Sequence, residues 1–358
     1  MSKLRFGWAE IDITPEKGKK IGLAGQFFER ITDDVESRIS VTALTIDDGN
    51  DYFIICSCDL VGIADNLNSL VKQKLAVKAI VDPNKVIISS VHTHTSYVYN
   101  RQSAISSDSF DYIKNIVPED MAYKPLISGE KGMDPDEALE YLANKIVEAV
   151  LLSWENRVHG YYRNAFGRAA VGMCRRVCYD DGSALMWGDT NTTNFTELEG
   201  GNDNGIELIF TYDDNKKLTG VVANIACPAQ VVEHRSYISS DYWGKVKENL
   251  RKEYGKDLFV LGLCSAAGDQ CPRDMVRWVE PESYIDDPNI KREVVLERNA
   301  DPSMFDISGL KVVGRRISSE IIAVHDELNS EYIDQVELIH ETPKVVLPLR
   351  RVTKAEYT

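Results

Sequence analysis

The chain has 358 residues, of which 43% are hydrophobic and 27% are charged, and its formal net charge is −15. This composition is typical of a folded globular protein, and the acidic excess argues against nucleic acid or an anionic membrane surface as the partner. The length allows about two domains or one large α/β domain.

The N-terminal residues lack the apolar stretch of a secretory signal, and no later apolar run reaches the roughly 18 residues needed to span a membrane. We therefore expect a cytoplasmic protein without stable membrane insertion. The seven cysteines are odd in number and scattered, which favours reduced thiols over a disulfide framework. The sequence carries no indication of an oligomeric state.

Alternating and helical hydrophobic patterns predict the elements of the first half of the chain. They are a hairpin of strands at 41–48 and 52–58, a helix over 65–80, and a strand at 86–88. Residues 96–133 are rich in Ser, Asp, Tyr and Gly and have no clear period, so we expect an insertion over the mouth of a site; an ordinary surface insertion is the alternative.

The second half begins with a helix start at Asp134-Pro135, where an N-cap residue precedes a first-turn proline. Further on, the patterns predict a hairpin, two helices and several strands. These are strands at 206–212 and 218–226, a helix that follows Ser240-Asp241 and runs to about 254, a strand at 258–263, a helix over 310–328, strands at 336–339 and 345–349, and a helix start at 353–356.

Two of the six histidines, His92 and His94, follow directly after the strand at 86–88. In an extended segment they have the same parity and face the same side. Neutral imidazole is the commonest metal ligand in proteins, so a metal or acid–base site is one interpretation. A strand end with one structural and one exposed histidine is the other.

Five motifs in order carry a resemblance to a known family. They are the opening segment from Gly7 to Pro15, Leu23-Ala-Gly25, His92-Thr-His94, the segment from Cys227 to Asp241, and Gly268-Asp-Gln-Cys-Pro272. Together they resemble the neutral/alkaline (non-lysosomal) ceramidase family and its bacterial relatives. The resemblance implies a layered α/β/β/α fold with two central sheets flanked by helices, formed by residues 1–358 as a single catalytic domain that lacks the family's C-terminal portion.

Members of this family are zinc amidohydrolases, so the resemblance implies a Zn²⁺ cofactor and a metal-activated water. His92 matches the first zinc ligand of the family, and His94 matches a histidine expected to contact the substrate or the developing oxyanion. Arg175 matches an arginine that would contact the oxyanion or the substrate, although Cys174 replaces the asparagine before it. A surface salt bridge is the alternative for Arg175.

The second zinc histidine of the family falls on Cys227 in an alignment without gaps, and His234 is the other candidate. A third possibility is that Cys227 is a buried thiol and that this branch has no metal. The family also takes a glutamate and a tyrosine ligand from a later segment that has no counterpart here. Asp269 and Cys271 match the family's Gly-Asp-x-Ser-Pro loop, with Cys271 replacing the serine.

The resemblance thus predicts a zinc-dependent hydrolase that cleaves an N-acyl amide bond in a small-molecule substrate, either ceramide or a smaller polar amide or sugar derivative. We expect the Asp269 carboxylate to accept main-chain N–H bonds or to orient a ligand. Two alternatives stay open. One is a metal-free protein that binds a small ligand on the same scaffold, and the other is a thiol hydrolase with Cys271 as nucleophile and His94 as base.

Overall fold

The computed structural model describes residues 3–107, 109, 123–279, 297–299, 304 and 306–354. These residues form eighteen strands: β1 Arg5–Asp12, β2 Ile21–Gly22, β3 Ile31–Thr32, β4 Ser40–Asp47, β5 Tyr52–Cys58, β6 Val86–Ser90, β7 Val158–His159, β8 Tyr161–Arg168, β9 Met173–Cys174, β10 Arg176–Tyr179, β11 Ala184–Met186, β12 Phe195–Leu198, β13 Gly205–Tyr212, β14 Leu218–Ile225, β15 Phe259–Cys264, β16 Gln270–Cys271, β17 Arg277–Val279 and β18 Glu297–Asn299. The α-helices in the same part of the chain are α1 Asp65–Lys78, α2 Pro135–Glu155, α3 Tyr242–Tyr254 and α4 Ile307–Glu327.

Two sheets form the centre of the fold. The first has the order β6-β5-β4-β1-β7 and the second has the order β15-β14-β13-β8. Both are antiparallel except for one parallel pair each, β5 with β6 and β14 with β15. The small sheets are β2-β3, β9-β16, β11-β10-β12 and β17-β18.

Helices cover the outer faces of both sheets, because their apolar stripes need a partner surface. Helices α1 and α2 pack on the first sheet, and α3 and α4 pack on the second. The inner faces meet across a third apolar cluster that includes Trp8 and Leu44 from the first sheet and Val222 and Leu261 from the second. This arrangement confirms the predicted α/β/β/α layers.

The start of α2 follows the predicted capping chemistry, and α3 is capped in a similar way. The Asp134 carboxylate accepts a hydrogen bond from the Asp136 main-chain N–H at the start of α2, and Pro135 occupies the first helical turn. Asp241 caps α3 by accepting from the Tyr242 N–H. Side-chain acceptors at these positions satisfy N–H groups that have no partner within the helix. No described helix is long and apolar enough to cross a membrane.

The loops after the two parallel strand pairs lie at one edge of the molecule and are joined to each other. The Ala229 N–H donates to the Val91 carbonyl over 3.0 Å, and the Thr95 hydroxyl donates to the Ser239 carbonyl over 2.9 Å. In open α/β sheets the carboxyl ends of parallel strands are the usual position of a ligand site. This edge therefore carries the candidate site.

The strands predicted at 336–339 and 345–349 are wrong, because the described residues from 334 to 353 contain no strand. The main-chain N–H groups of Leu338 and His340 donate instead to the carboxylates of Asp48 and Asp51, over 2.8 and 2.9 Å. Side chains thus replace the sheet partner that an extended segment needs. The helix start expected at 353–356 lies largely outside the described residues, and the insertion predicted over the site at 96–133 is described only in part and stays a prediction.

Candidate active site

His92 and His94 lie in the loop that follows β6, and their ring centroids are 4.8 Å apart. The loop does not continue as a strand, because His92 adopts φ +65°, in the left-handed region that favours glycine. Burial lowers the pKa of His92, and the charge of Arg175 lowers it further. A hydrogen bond to the Val61 main chain has the opposite effect and raises this pKa. The extended segment expected for the two histidines is therefore not observed, and their rings are neighbours through a turn that costs backbone strain.

The His94 ring is buried and fixed from two sides. A Cβ atom added at Gly25, whose φ is +94°, would lie 2.4 Å from His94 Cγ, so only glycine fits beside the ring. On the other side, the Gln230 amide nitrogen lies 2.8 Å from His94 Nε2. Burial, followed by the positive charges of His92 and Arg30, lowers the pKa of His94 to about 3. His94 is therefore a neutral imidazole at physiological pH.

Gln230 and Glu233 were not predicted from the sequence, and they complete the surroundings of His94. The Gln230 Oε1 atom lies 3.5 Å from Arg175 Nη1, which assigns Nε2 as the atom that donates to His94 Nε2. The proton of His94 is then on Nδ1, which lies 3.3 Å from Glu233 Oε2. Gln230 Nε2 is also 3.3 Å from the same carboxylate oxygen.

Glu233 is the titratable group of this cluster. Its side chain is only 15% exposed. Burial raises its pKa to about 7, and the charge of Asp241 adds to this effect, whereas Arg175 and Arg30 oppose it. A carboxyl group with a pKa near 7 can both accept and donate a proton at neutral pH, which is the property required of a general acid–base group.

Arg175 approaches the cluster from the turn between β9 and β10. Its main-chain N–H donates to the Asp269 carbonyl over 2.9 Å, and its Nη2 donates to the Gly268 carbonyl over 2.8 Å. Among the described residues its buried Nε has no hydrogen-bond partner, and its guanidinium forms no ion pair with a carboxylate. The surface salt bridge considered for Arg175 is thus not observed in the described part of the chain, and the side chain keeps an unused donor and its positive charge beside Glu233.

Arg30, another residue that sequence reasoning missed, connects the loops that form the site. Its buried guanidinium donates to four carbonyl oxygens over 2.6–2.7 Å, those of Ala24, His94, Glu233 and Arg235. Burial lowers its pKa to about 10, so it stays charged. Arg30 thereby fixes the distance between the His94 loop and the Glu233 turn.

Asp241 holds the turn that carries Gln230 and Glu233. Its buried carboxylate accepts from the Val232 N–H over 3.0 Å and from the Tyr242 N–H over 2.8 Å. The residue has φ 55° and ψ −147°, a conformation that L-residues rarely adopt. Its carboxylate thus links the start of α3 to the polar turn of the site.

The structure places Asp269 and Cys271 differently from the sequence-based expectation. The Asp269 side chain is exposed, and it accepts no main-chain hydrogen bond from the described part of the chain, so the expected backbone contacts are absent. The Cys271 thiol is buried beside Val177 and donates to the Arg273 carbonyl over 3.6 Å. Burial raises the pKa of Cys271 to about 12, which opposes formation of a nucleophilic thiolate.

The side chains predicted to bind zinc are not placed around one common position. Cys227 is a buried thiol that donates to the carbonyls of Val171 and Pro228 over 3.6 and 3.7 Å, and burial raises its pKa well above the usual value. His234, in contrast, is exposed. Among the described residues, no group of three or more His, Cys, Asp and Glu side chains could hold a metal, so His92, Cys227 and His234 do not form one.

The layered fold is similar to that of the neutral ceramidases. The neutral ceramidase from Pseudomonas aeruginosa matches it with a TM-score of 0.63 at 15% identity, covering 91% of this chain and 45% of that one. A ceramidase complexed with C2 matches with a TM-score of 0.59 at 15% identity, covering 91% and 44%.

The fold expected from the motif resemblance is thus confirmed. This chain spans less than half the length of either ceramidase. No protein-family model and no curated protein sequence matches the chain.

Proposed function

We propose that the chain is a hydrolase of N-acyl amide bonds and that Glu233 is its general acid–base group. The proposal is carried by one observation: a largely buried carboxyl group with a pKa of about 7 lies within 3.3 Å of a neutral histidine, beside an arginine that has unused donors. The similarity of the fold to neutral ceramidases supports amide hydrolysis as the reaction class.

The reaction uses water as the nucleophile. The Glu233 carboxylate accepts a proton from the water as its oxygen bonds to the amide carbonyl carbon. The Arg175 guanidinium stabilises the negative charge that develops on the carbonyl oxygen. The C–N bond then breaks as protonated Glu233 returns its proton to the leaving nitrogen, giving a carboxylic acid and an amine.

Gln230 orients the base in this scheme, and His94 lies beside it. The Gln230 amide bridges His94 Nε2 and the Glu233 carboxylate, and His94 keeps its proton on the side of that carboxylate. Because His94 stays neutral, it does not add a positive charge that would return the pKa of Glu233 to its ordinary value. No step is assigned to zinc, since the candidate ligands do not come together.

The test is hydrolysis of a panel of N-acyl amides by wild-type protein and by Glu233→Gln and Arg175→Met variants. Loss of the acid–base group is expected to lower kcat by about 100-fold or more, with little change in KM. Glu16→Gln, at an exposed position, serves as the matched control and should keep wild-type activity. Full activity in Glu233→Gln would refute the proposed role of the carboxyl group.

The thiol hydrolase and the metal-free binding protein are separable by the same assay. Activity that is lost with Cys271→Ala but kept with Glu233→Gln would favour the thiol hydrolase. A protein that cleaves no amide and still binds a small ligand would be the binding protein. Zinc stays a prediction of the resemblance, and metal analysis of purified protein tests it.

A further inference from the structure

Arg175 is a cation without a carboxylate partner in the described part of the chain. The next residue, Arg176, pairs with Glu199 over 2.8 Å. Asp269, whose main chain bonds Arg175, does not supply a partner from its side chain, since its Oδ2 atom lies 3.3 Å from the position that a Cβ atom at Gly200 would take. Arg175 is only half-buried, so a ligand can reach it. A guanidinium placed in this way favours an anionic ligand.

The Arg175 guanidinium has donors left for such a ligand. An arginine side chain carries five N–H groups. One on Nη2 donates to the Gly268 carbonyl over 2.8 Å, and one on Nη1 faces Gln230 Oε1 at 3.5 Å. No other described residue accepts from this side chain, so three N–H groups remain, of which the one on Nε is buried. A planar fork of donors can hold a carboxylate oxygen and a carbonyl oxygen at the same time.

The charges around Glu233 favour the same ligand. Arg175 and Arg30 both act on this carboxyl group, and neither forms an ion pair with a carboxylate in the described part of the chain. The opposing charge is that of the buried Asp241. When Glu233 is protonated, the two arginines outnumber this one carboxylate, and the cluster has a positive charge in excess. A carboxylate of the substrate would balance that charge.

From this geometry we propose that the substrate carries a carboxylate on the amine side of the scissile bond, as an N-acyl α-amino acid does, and that Arg175 binds it together with the carbonyl oxygen. The inference rests on the proposed amidohydrolase function. Only the amide nitrogen and the α-carbon separate the two groups in such a substrate, so one guanidinium can reach both. A carboxylate on the acyl side is disfavoured, because cleavage would leave two carboxylates on one product beside one arginine. On the amine side, each product carries one.

The first experiment compares N-acetyl amino acids with the corresponding N-acetyl amino acid amides, which have the same shape but no negative charge. For the wild type, kcat/KM for loss of the acetyl group should be at least about ten-fold higher for the acid than for its amide. Arg175→Lys, which keeps the charge but not the fork, should retain part of this preference. Arg176→Met, at the next residue, is the matched control and should keep all of it. Equal kcat/KM for acid and amide, or a preference for succinyl amides of uncharged amines, would overturn the proposal.

Calorimetric binding to the Glu233→Gln variant separates this inference from the proposed function. Glutamine stays neutral, so the N-acetyl amino acid should bind this variant at least about ten-fold more tightly than its amide does. Adding Arg175→Met should remove the difference, and adding Arg176→Met should leave it. If the wild type cleaves no amide but this pattern of binding is found, the hydrolase proposal fails and the carboxylate site stands. Equal binding of acid and amide by Glu233→Gln, or a difference that survives Arg175→Met, would refute the carboxylate site even if amides are cleaved.

Discussion

Replacing Glu233 by glutamine should make the protein more stable at high pH. Raising the pKa of this carboxyl group from 4.5 to about 7 disfavours its ionised form in the folded chain by about 3 kcal/mol, at about 1.36 kcal/mol per pH unit. Because the folded pKa is raised, the stability associated with the protonated group is fully present below about pH 4.5 and is lost as the pH rises through about 7. Glutamine stays neutral throughout and avoids this loss.

Urea unfolding of wild type and Glu233→Gln between about pH 5 and pH 8 measures the effect. The variant should gain little near pH 5 and about 3 kcal/mol relative to wild type near pH 8. Asp241, whose pKa burial raises to about 6, titrates in both proteins, so the pH dependence is read from the difference between them. Glu16→Gln, with its exposed side chain, should show no such trend. A difference between wild type and Glu233→Gln that is constant with pH would refute the buried, uncompensated carboxyl group described here.

Three further predictions concern Arg30, Gly25 and Cys227. Arg30→Met leaves four buried carbonyls without their donor, and each unsatisfied carbonyl costs about 1–3 kcal/mol unless water replaces the donor. Urea unfolding should therefore show a free energy of unfolding lower by at least about 4 kcal/mol. Arg38→Met, at an exposed position, should change it little. Gly25→Ala should lower the free energy of unfolding by more than about 3 kcal/mol, since its Cβ would overlap the His94 ring. Gly18→Ala has φ +85° but open space around the Cβ, so backbone strain alone should lower the free energy of unfolding by only about 1–2 kcal/mol. Cys227→Ser should leave the zinc content of purified protein unchanged by elemental analysis, and a loss of zinc would make this thiol a ligand after all.

Local patterns predicted the four helices and six strands of the central sheets, because local chemistry determines those elements. The caps at Asp134 and Asp241 and the alternation in β13 and β14 act within a few residues of the chain. The extended segment after residue 334 was wrongly predicted because a strand needs a partner, and here distant carboxylates bind its N–H groups.

The candidate site was predicted only in part. Motifs identified His94 and Arg175, which the structure places on either side of one polar cluster. Gln230, Glu233 and Arg30 were missed, because their properties come from burial and from contacts with loops far away in sequence. One signal was present: Gln230 is a lone amide in an otherwise apolar run from 228 to 232, and such a residue requires a partner when buried.

The groups of the site come from loops of both sheets, with His94 following β6 of the first and Glu233 following β14 of the second. Neither half of the chain can therefore assemble the site by itself, and we expect ligand binding to appear only at the step in which the two sheets dock. In a refolding experiment, recovery of amide hydrolysis should lag behind the far-ultraviolet circular dichroism signal of the strands and helices. Recovery of activity would therefore report the last stage of folding, in which the two sheets pack against each other. The backbone hydrogen bonds within each sheet would form before that stage.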